Sequence, residues 1–175
     1  MQRIVLTFGL IAGAVLSVMM LITMVFMKDI GFDKGEIIGY TTMVLAFLMT
    51  FFGVKSYRDN VNGGSITFGR ALSLGLMITV VATACYVATW EVIYYKISPD
   101  FGDKYAAYTV EKAKKSGATQ VQIDAKVKEM AEFKEMYRNP FVNMALTFLE
   151  PLPVGLLVAV ISAGALRRKR ALASS

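Results

Sequence analysis

The 175-residue chain contains no histidine and one cysteine, Cys85. A lone thiol cannot build a disulfide framework, and without imidazole the Cys/His zinc and haem sites are excluded. No metal or cofactor is expected. Cys85 lies in an apolar run and reads as a small buried residue, not a reactive thiol. Catalytic signatures are missing as well. The sequence has no Walker loop, no dinucleotide fingerprint, no G-x-S-x-G elbow and no H-E-x-x-H. "NGGSITFG" supplies glycines but neither the Walker lysine nor a strand–helix context. No catalytic residue can be assigned. Proline is scarce, with four in the chain. Two of them, Pro151 and Pro153, fall in the apolar stretch "FLEPLPVGLL".

Hydrophobic residues, by contrast, make up 55% of the chain. That is too apolar for an ordinary soluble domain of this length. Four stretches are uncharged or nearly so: Ile4–Met27, Ile37–Val54, Ala71–Trp90, and Phe141–Leu166 apart from Glu150. About 20 apolar residues in a helix cross a hydrocarbon core roughly 30 Å thick. In lipid the backbone must satisfy its own polar groups, so helices are the expected spanning form. The predicted fold is all-α: an integral membrane bundle of four transmembrane helices in a single domain, 1–175. The spans are placed at about 4–27, 37–54, 71–95 and 141–166. Arg3 and "AGA" at Ala12–Ala14 resemble a secretory signal, but the apolar run continues to Met27 and predicts an uncleaved anchor.

The net charge is +6, and its placement argues against nucleic acid as the partner. Basic residues flank the apolar runs: Arg3, then Lys55, Arg58 and Arg70, then "RRKR" at Arg167–Arg170. These three segments share one side of a four-span protein, and the excess of basic residues predicts that side to be cytoplasmic. The long link between the third and fourth spans also carries basic residues, among nearly as many acidic ones. The lipid bilayer is the expected partner. A membrane-protein partner or a second copy stays open. Gly9, Gly13 and Ser17, and likewise Gly155, Ala159 and Ala163, recur at intervals of four. Such stripes let helix backbones approach, within one chain or between chains.

The link 97–139 is predicted to be an extracytoplasmic helical hairpin. Ser98-Pro99 reads as an N-cap with proline at the first helical position. Gly117 reads as the stop, and Thr119 with Gln122 as a capping box. Phe101, Tyr105 and Tyr108 mark one apolar face. Ile123, Val127, Met130, Phe133 and Tyr137 mark the other. In the shorter connection, Asn62-Gly63-Gly64 signals a turn. That segment reads first as a connector with basic anchors, and alternatively as a docking loop using Tyr57, Arg58 and Phe68.

Several of these segments together resemble a known family. They are "GLIAG", "IGYTTMVLAFLMTFFGVKSYRDN", "GGSITFGRAL", "ATWEVIYY", "FLEPLPVGLL" and the insertion "DKYAAYTVEKAKKSGATQVQIDAKVKEM". The chain is similar over nearly its whole length to the bacterial membrane-protein family filed as domain of unknown function 4199. The resemblance implies a four-span protein of the bacterial cytoplasmic (inner) membrane. It brings no activity, ligand or catalytic residue with it.

Glu150 is then the residue to explain. At 1.5 Å per residue it lies roughly 15 Å from the start of the fourth span, about mid-membrane. Asn143, Thr147 and Glu150 share a helix face. Pro151 and Pro153 remove two backbone donors, and a residue before proline avoids the helical region, so a break is expected at Glu150. Asn143 and Thr147 are placed to bond to the freed groups. No basic residue lies deep in a span, so Glu150 should be neutral, hydrated, or beside a bound cation. Glu91 near the end of the third span, and Glu36 with Tyr40 at the start of the second, are further polar candidates. The leading reading is a structural or accessory membrane component with Glu150 as a hydrogen-bonding strut. The alternative is a small carrier, channel or ligand-binding membrane protein in which Glu150 titrates or contacts a cation. An intramembrane enzyme has the least support.

Overall fold

A computed structural model describes residues 1–168. Lys169 and Arg170 of the basic cluster lie outside the described residues. The helices are α1 (Gln2–Val25), α2 (Met27–Ile30), α3 (Phe32–Asn60), α4 (Phe68–Val92), α5 (Phe101–Lys115), α6 (Gln120–Tyr137), α7 (Pro140–Leu149) and α8 (Leu152–Leu166). A single π-helical turn, Ile93–Ile97, prolongs α4. Four segments are long and apolar enough to cross a membrane: Gln2–Val25, Phe32–Asn60, Phe68–Ile97 and Pro140–Leu166. The second exceeds its uncharged stretch at both ends. Its charged termini continue the helix, because hydropathy marks the length that lipid would cover and not the length that is helical.

α4 packs against α1, α3, α7 and α8. α1 and α8 each pack on both α3 and α4, so they flank that pair from opposite sides. Phe47, Val54, Leu74 and Ile78 are fully buried between the helices. The two small-residue stripes make these contacts within one chain. A Cβ on Gly13 would stand 2.6 Å from Cβ of Cys85, and Thr89 Oγ1 donates to Ser17 Oγ at 2.7 Å. On α8, a Cβ on Gly155 would collide with Thr79 of α4, and Ala159 lies against Gly75. Cys85 is half-buried in the α1 contact.

At the basic end, the loop after α3 turns on Gly63 and Gly64, both at positive φ (64° and 77°). Ile66 and Arg168 then exchange backbone hydrogen bonds of 3.0 and 2.9 Å, tying this loop to the end of α8. Tyr57 is buried in the core, and Arg58 reaches Asp59 and the carbonyl of Leu166. A docking role that uses Tyr57 is therefore ruled out; only Phe68 of the three is exposed.

α5 and α6 form a hairpin over the other end. Thr119 and Gln122 make the capping box, and Gly117 (φ +79°) ends α5 where Ala118 N–H reaches back to Ala113 O. Two details differ from the sequence reading. Ser98 is not the N-cap: residues 98–100 form a turn, Ser98 Oγ donates to Asp100, and α5 starts at Phe101. Val127 is half-exposed, whereas Met130 is buried. Residues 123, 126, 130, 133 and 137 face inward instead. Lys126 lays its stem along the seam and takes its ammonium out to Glu129.

Candidate functional site

The fourth span is interrupted as its prolines dictate. α7 ends at Leu149 and α8 starts at Leu152, with Glu150 and Pro151 between them. The interruption is milder than expected. Glu150 (φ −61°, ψ −53°) and Pro151 (φ −81°, ψ −12°) keep near-helical dihedrals, so hydrogen bonds are lost without the chain leaving a helical course. Packing overrides the preference of a pre-proline residue for extended backbone. α8 packs on α3, whereas α7 does not pack closely on it. The bundle is thus closed on the basic side of the break and parted on the hairpin side.

A cavity of about 620 Å³ occupies the parted half, bounded by α1, α3, α4, α7 and the hairpin. Glu150 lies at its inner end, and Glu36 and Tyr40 line its α3 wall. Tyr86 on α4 donates to Glu150 Oε2 at 2.9 Å. Trp90, one turn further along α4, also lines the cavity. Six of the eight tyrosines and the only tryptophan line this one space. Four methionines of the α1–α2 region, from Met19 to Met27, complete the apolar side.

The hairpin is held down by aromatic packing and one ion pair, and a second ion pair joins its two helices. Phe101 sits edge-on to Trp90 at 4.9 Å and to Phe32 at 5.7 Å. Tyr108 approaches Phe32 at 4.8 Å. Lys112 pairs with Asp33 of α3, and Lys134 of α6 with Asp103 of α5. Asp33, and next the Tyr108 hydroxyl, hold Lys112 above the usual ammonium range, so it stays charged and paired. Both lysines line the cavity rim with their charges already matched. No ion pair reaches Glu36 or Glu150 among the described residues.

The polar residues singled out by sequence separate into three groups. Glu150, Tyr40 and Thr147 line the cavity. Asn143 is fully buried behind it. Thr147 donates to Asn143 Oδ1 at 3.3 Å, lies 3.1 Å from the Tyr137 hydroxyl, and Asn143 Nδ2 reaches Tyr137 O at 3.5 Å. These two side chains thus fasten α7 to the end of α6 and do not serve the carbonyls freed by the prolines. Burial pushes the Tyr137 phenol up, which keeps it a neutral partner there. Glu91 does not line the cavity; one of its oxygens is buried without a hydrogen-bond partner. Pro151 is buried at the break and Pro153 is exposed. Tyr86, Trp90 and Tyr105 were absent from the sequence-derived site. The signal for the first two was their i, i+4 spacing, which reads equally well as an interfacial aromatic belt.

The arrangement defines a class: an all-α protein with four helices long and apolar enough to cross a membrane, parted at one end around a covered cavity. Residues 7–168 match the family model described as "Protein of unknown function (DUF4199)", and the chain belongs to that family. The comparisons with curated proteins and with solved structures found no match.

Proposed function

We propose that the chain is a multi-pass protein of the bacterial cytoplasmic membrane that binds a small ligand in the cavity beneath its hairpin. The observation that carries this reading is the 620 Å³ space ending at an acid that has no basic partner among the described residues. Its volume lies in the range of small-molecule sites, about 300–1,000 Å³, and its walls combine aromatic and methionine side chains with hydroxyls and two acids. An intramembrane acid facing an open space is a functional group by default, because lipid penalises a charge that nothing solvates.

The test is native mass spectrometry of protein gently extracted from its own membrane. Gly39 lines the cavity, and a Cβ there meets open space. Gly39→Phe should project its ring into this space and obstruct it. Wild type is expected to retain a small molecule that Gly39→Phe loses. Equal retention, or none in the wild type, would count against the reading.

One observation favours the structural alternative. The Tyr86–Glu150 hydrogen bond joins α4 to the fourth span at its break. In that reading Glu150 is a strut and the cavity holds only lipid tails or water. Gly39→Phe would then leave the protein's partners and its native function intact.

A further inference from the structure

We infer that the cavity takes an amphipathic organic cation, anchored by Glu150 and admitted sideways between α3 and α7. The inference rests on the ligand-binding reading above and names the ligand's chemical class.

Charge is the first argument. Glu36 and Glu150 both line the cavity, and no Lys or Arg among the described residues pairs with either. The two cations at the rim, Lys112 and Lys134, are committed to Asp33 and Asp103. The space therefore holds two acids with no counter-charge among the described residues. An anionic ligand would meet repulsion, and a neutral one would leave both acids without a counter-charge. A cation removes both costs.

The walls select among cations. A hard metal ion asks for six or more oxygen ligands. Here the carboxylates are two, and most of the remaining surface is aromatic or thioether. Aromatic faces attract organic cations through the ring quadrupole, and Trp and Tyr do so best. Trp90, Tyr40, Tyr86 and Tyr105 all line the space, with the Tyr86 hydroxyl holding Glu150 in place. Methionine thioethers add polarizable, adaptable contact suited to ligands of varied shape.

Access is the third argument. α3 and α7 do not pack closely, and Glu36, Tyr40 and Glu150 are all exposed along that gap. The hairpin covers the end of the bundle, so the open direction is the flank that lipid would face. A ligand using that route must partition into the bilayer, which an amphipathic cation does and a small hydrophilic one does not.

Two ions of matching shape and opposite charge provide the test: tetraphenylphosphonium and tetraphenylborate. Binding to the purified full chain in neutral-lipid nanodiscs is measured by equilibrium dialysis, with Trp90 fluorescence as a second readout. Partition into lipid is subtracted using Gly39→Phe. The phosphonium is expected to bind saturably, at least about tenfold more tightly than the borate. Glu150→Gln should remove most of that preference, and Glu36→Gln, on the exposed face of α3, part of it. Because the wild-type comparison of the two ions does not use Glu150→Gln, a misfolded Glu150→Gln would not rescue the idea. Saturable binding of both ions alike would overturn the cationic class and leave the ligand-binding reading standing. No saturable binding that Gly39→Phe blocks would overturn both. A preference for the phosphonium that survives both Gln variants would overturn the anchoring role of the two acids.

Discussion

At the scale of single residues, Glu150 was visible in the sequence because an acid interrupts an apolar run. Its partner was not. Tyr86 is one of many aromatics in a hydrophobic helix, and nothing local distinguishes a tyrosine that faces an acid from one that faces headgroups. Knowing the pair permits a sharp comparison. Glu150→Gln keeps a carbonyl oxygen that can accept from the Tyr86 hydroxyl, so its thermal unfolding in detergent should match wild type. Glu150→Leu removes the acceptor and leaves the hydroxyl unpaired, costing about 1 kcal/mol. Tyr86→Phe should cost no more than Leu, and the double variant Tyr86→Phe with Glu150→Leu should lose less than the two singles added, because both remove one bond. Strict additivity would mean that the bond does not contribute to stability. The same logic explains Asn143 and Thr147. Their shared face with Glu150 was legible from spacing, but their partner, Tyr137, arrives from the hairpin, and helix periodicity carries no information about what a later element presents.

At the scale of elements, the four apolar runs, the Gly117 stop and the Thr119–Gln122 capping box followed from composition and local signals, since length, hydropathy and capping are properties of contiguous sequence. What a helix faces is not. The stripe on α6 was read with Val127 in it, whereas the seam passes through Lys126, because a long amphipathic stem can cover the same surface as a valine. Met130→Asp should therefore destabilise the hairpin by a few kcal/mol, and Val127→Asp by less than about 0.5 kcal/mol. Hydrogen exchange of the α5 and α6 amides decides it, and equal effects at the two sites would refute the seam. The small-residue stripes gave the spacing but not the partner. Both prove to be contacts with α4. Gly155→Ala places its methyl against Thr79 and should cost about 1–3 kcal/mol by overpacking. Gly164→Ala, on the same helix with open space around it, should cost nothing measurable in the same unfolding assay.

At the scale of the whole molecule, the bundle has one closed end and one parted end, and the orientation decides which side of the membrane a ligand meets first. The closed end carries Arg3, Lys55, Arg58, Arg70, Arg167 and Arg168 beside the helix termini, joined by the Ile66–Arg168 bridge. The parted end lies under the hairpin, whose lysines are largely matched by acids in ion pairs. The topology rule weighs basic residues close to the spans, and among the described residues the closed end has six there against Lys28, Lys34, Lys96 and Arg138 at the parted end. The expected orientation places the closed end in the cytoplasm and the hairpin outside, so the cavity opens toward the outer half of the bilayer. Single cysteines at exposed sites in a Cys85→Ser background test this. Cys85 packs against Gly13, and the slightly smaller serine fits the same space. Ser116→Cys at the hairpin tip should react with a membrane-impermeant thiol reagent in intact cells. Asn60→Cys at the basic end of α3 should react only after the cells are opened. Labelling of Asn60→Cys but not Ser116→Cys in intact cells would invert the molecule, turning the cavity and its two carboxylates toward the cytoplasmic leaflet.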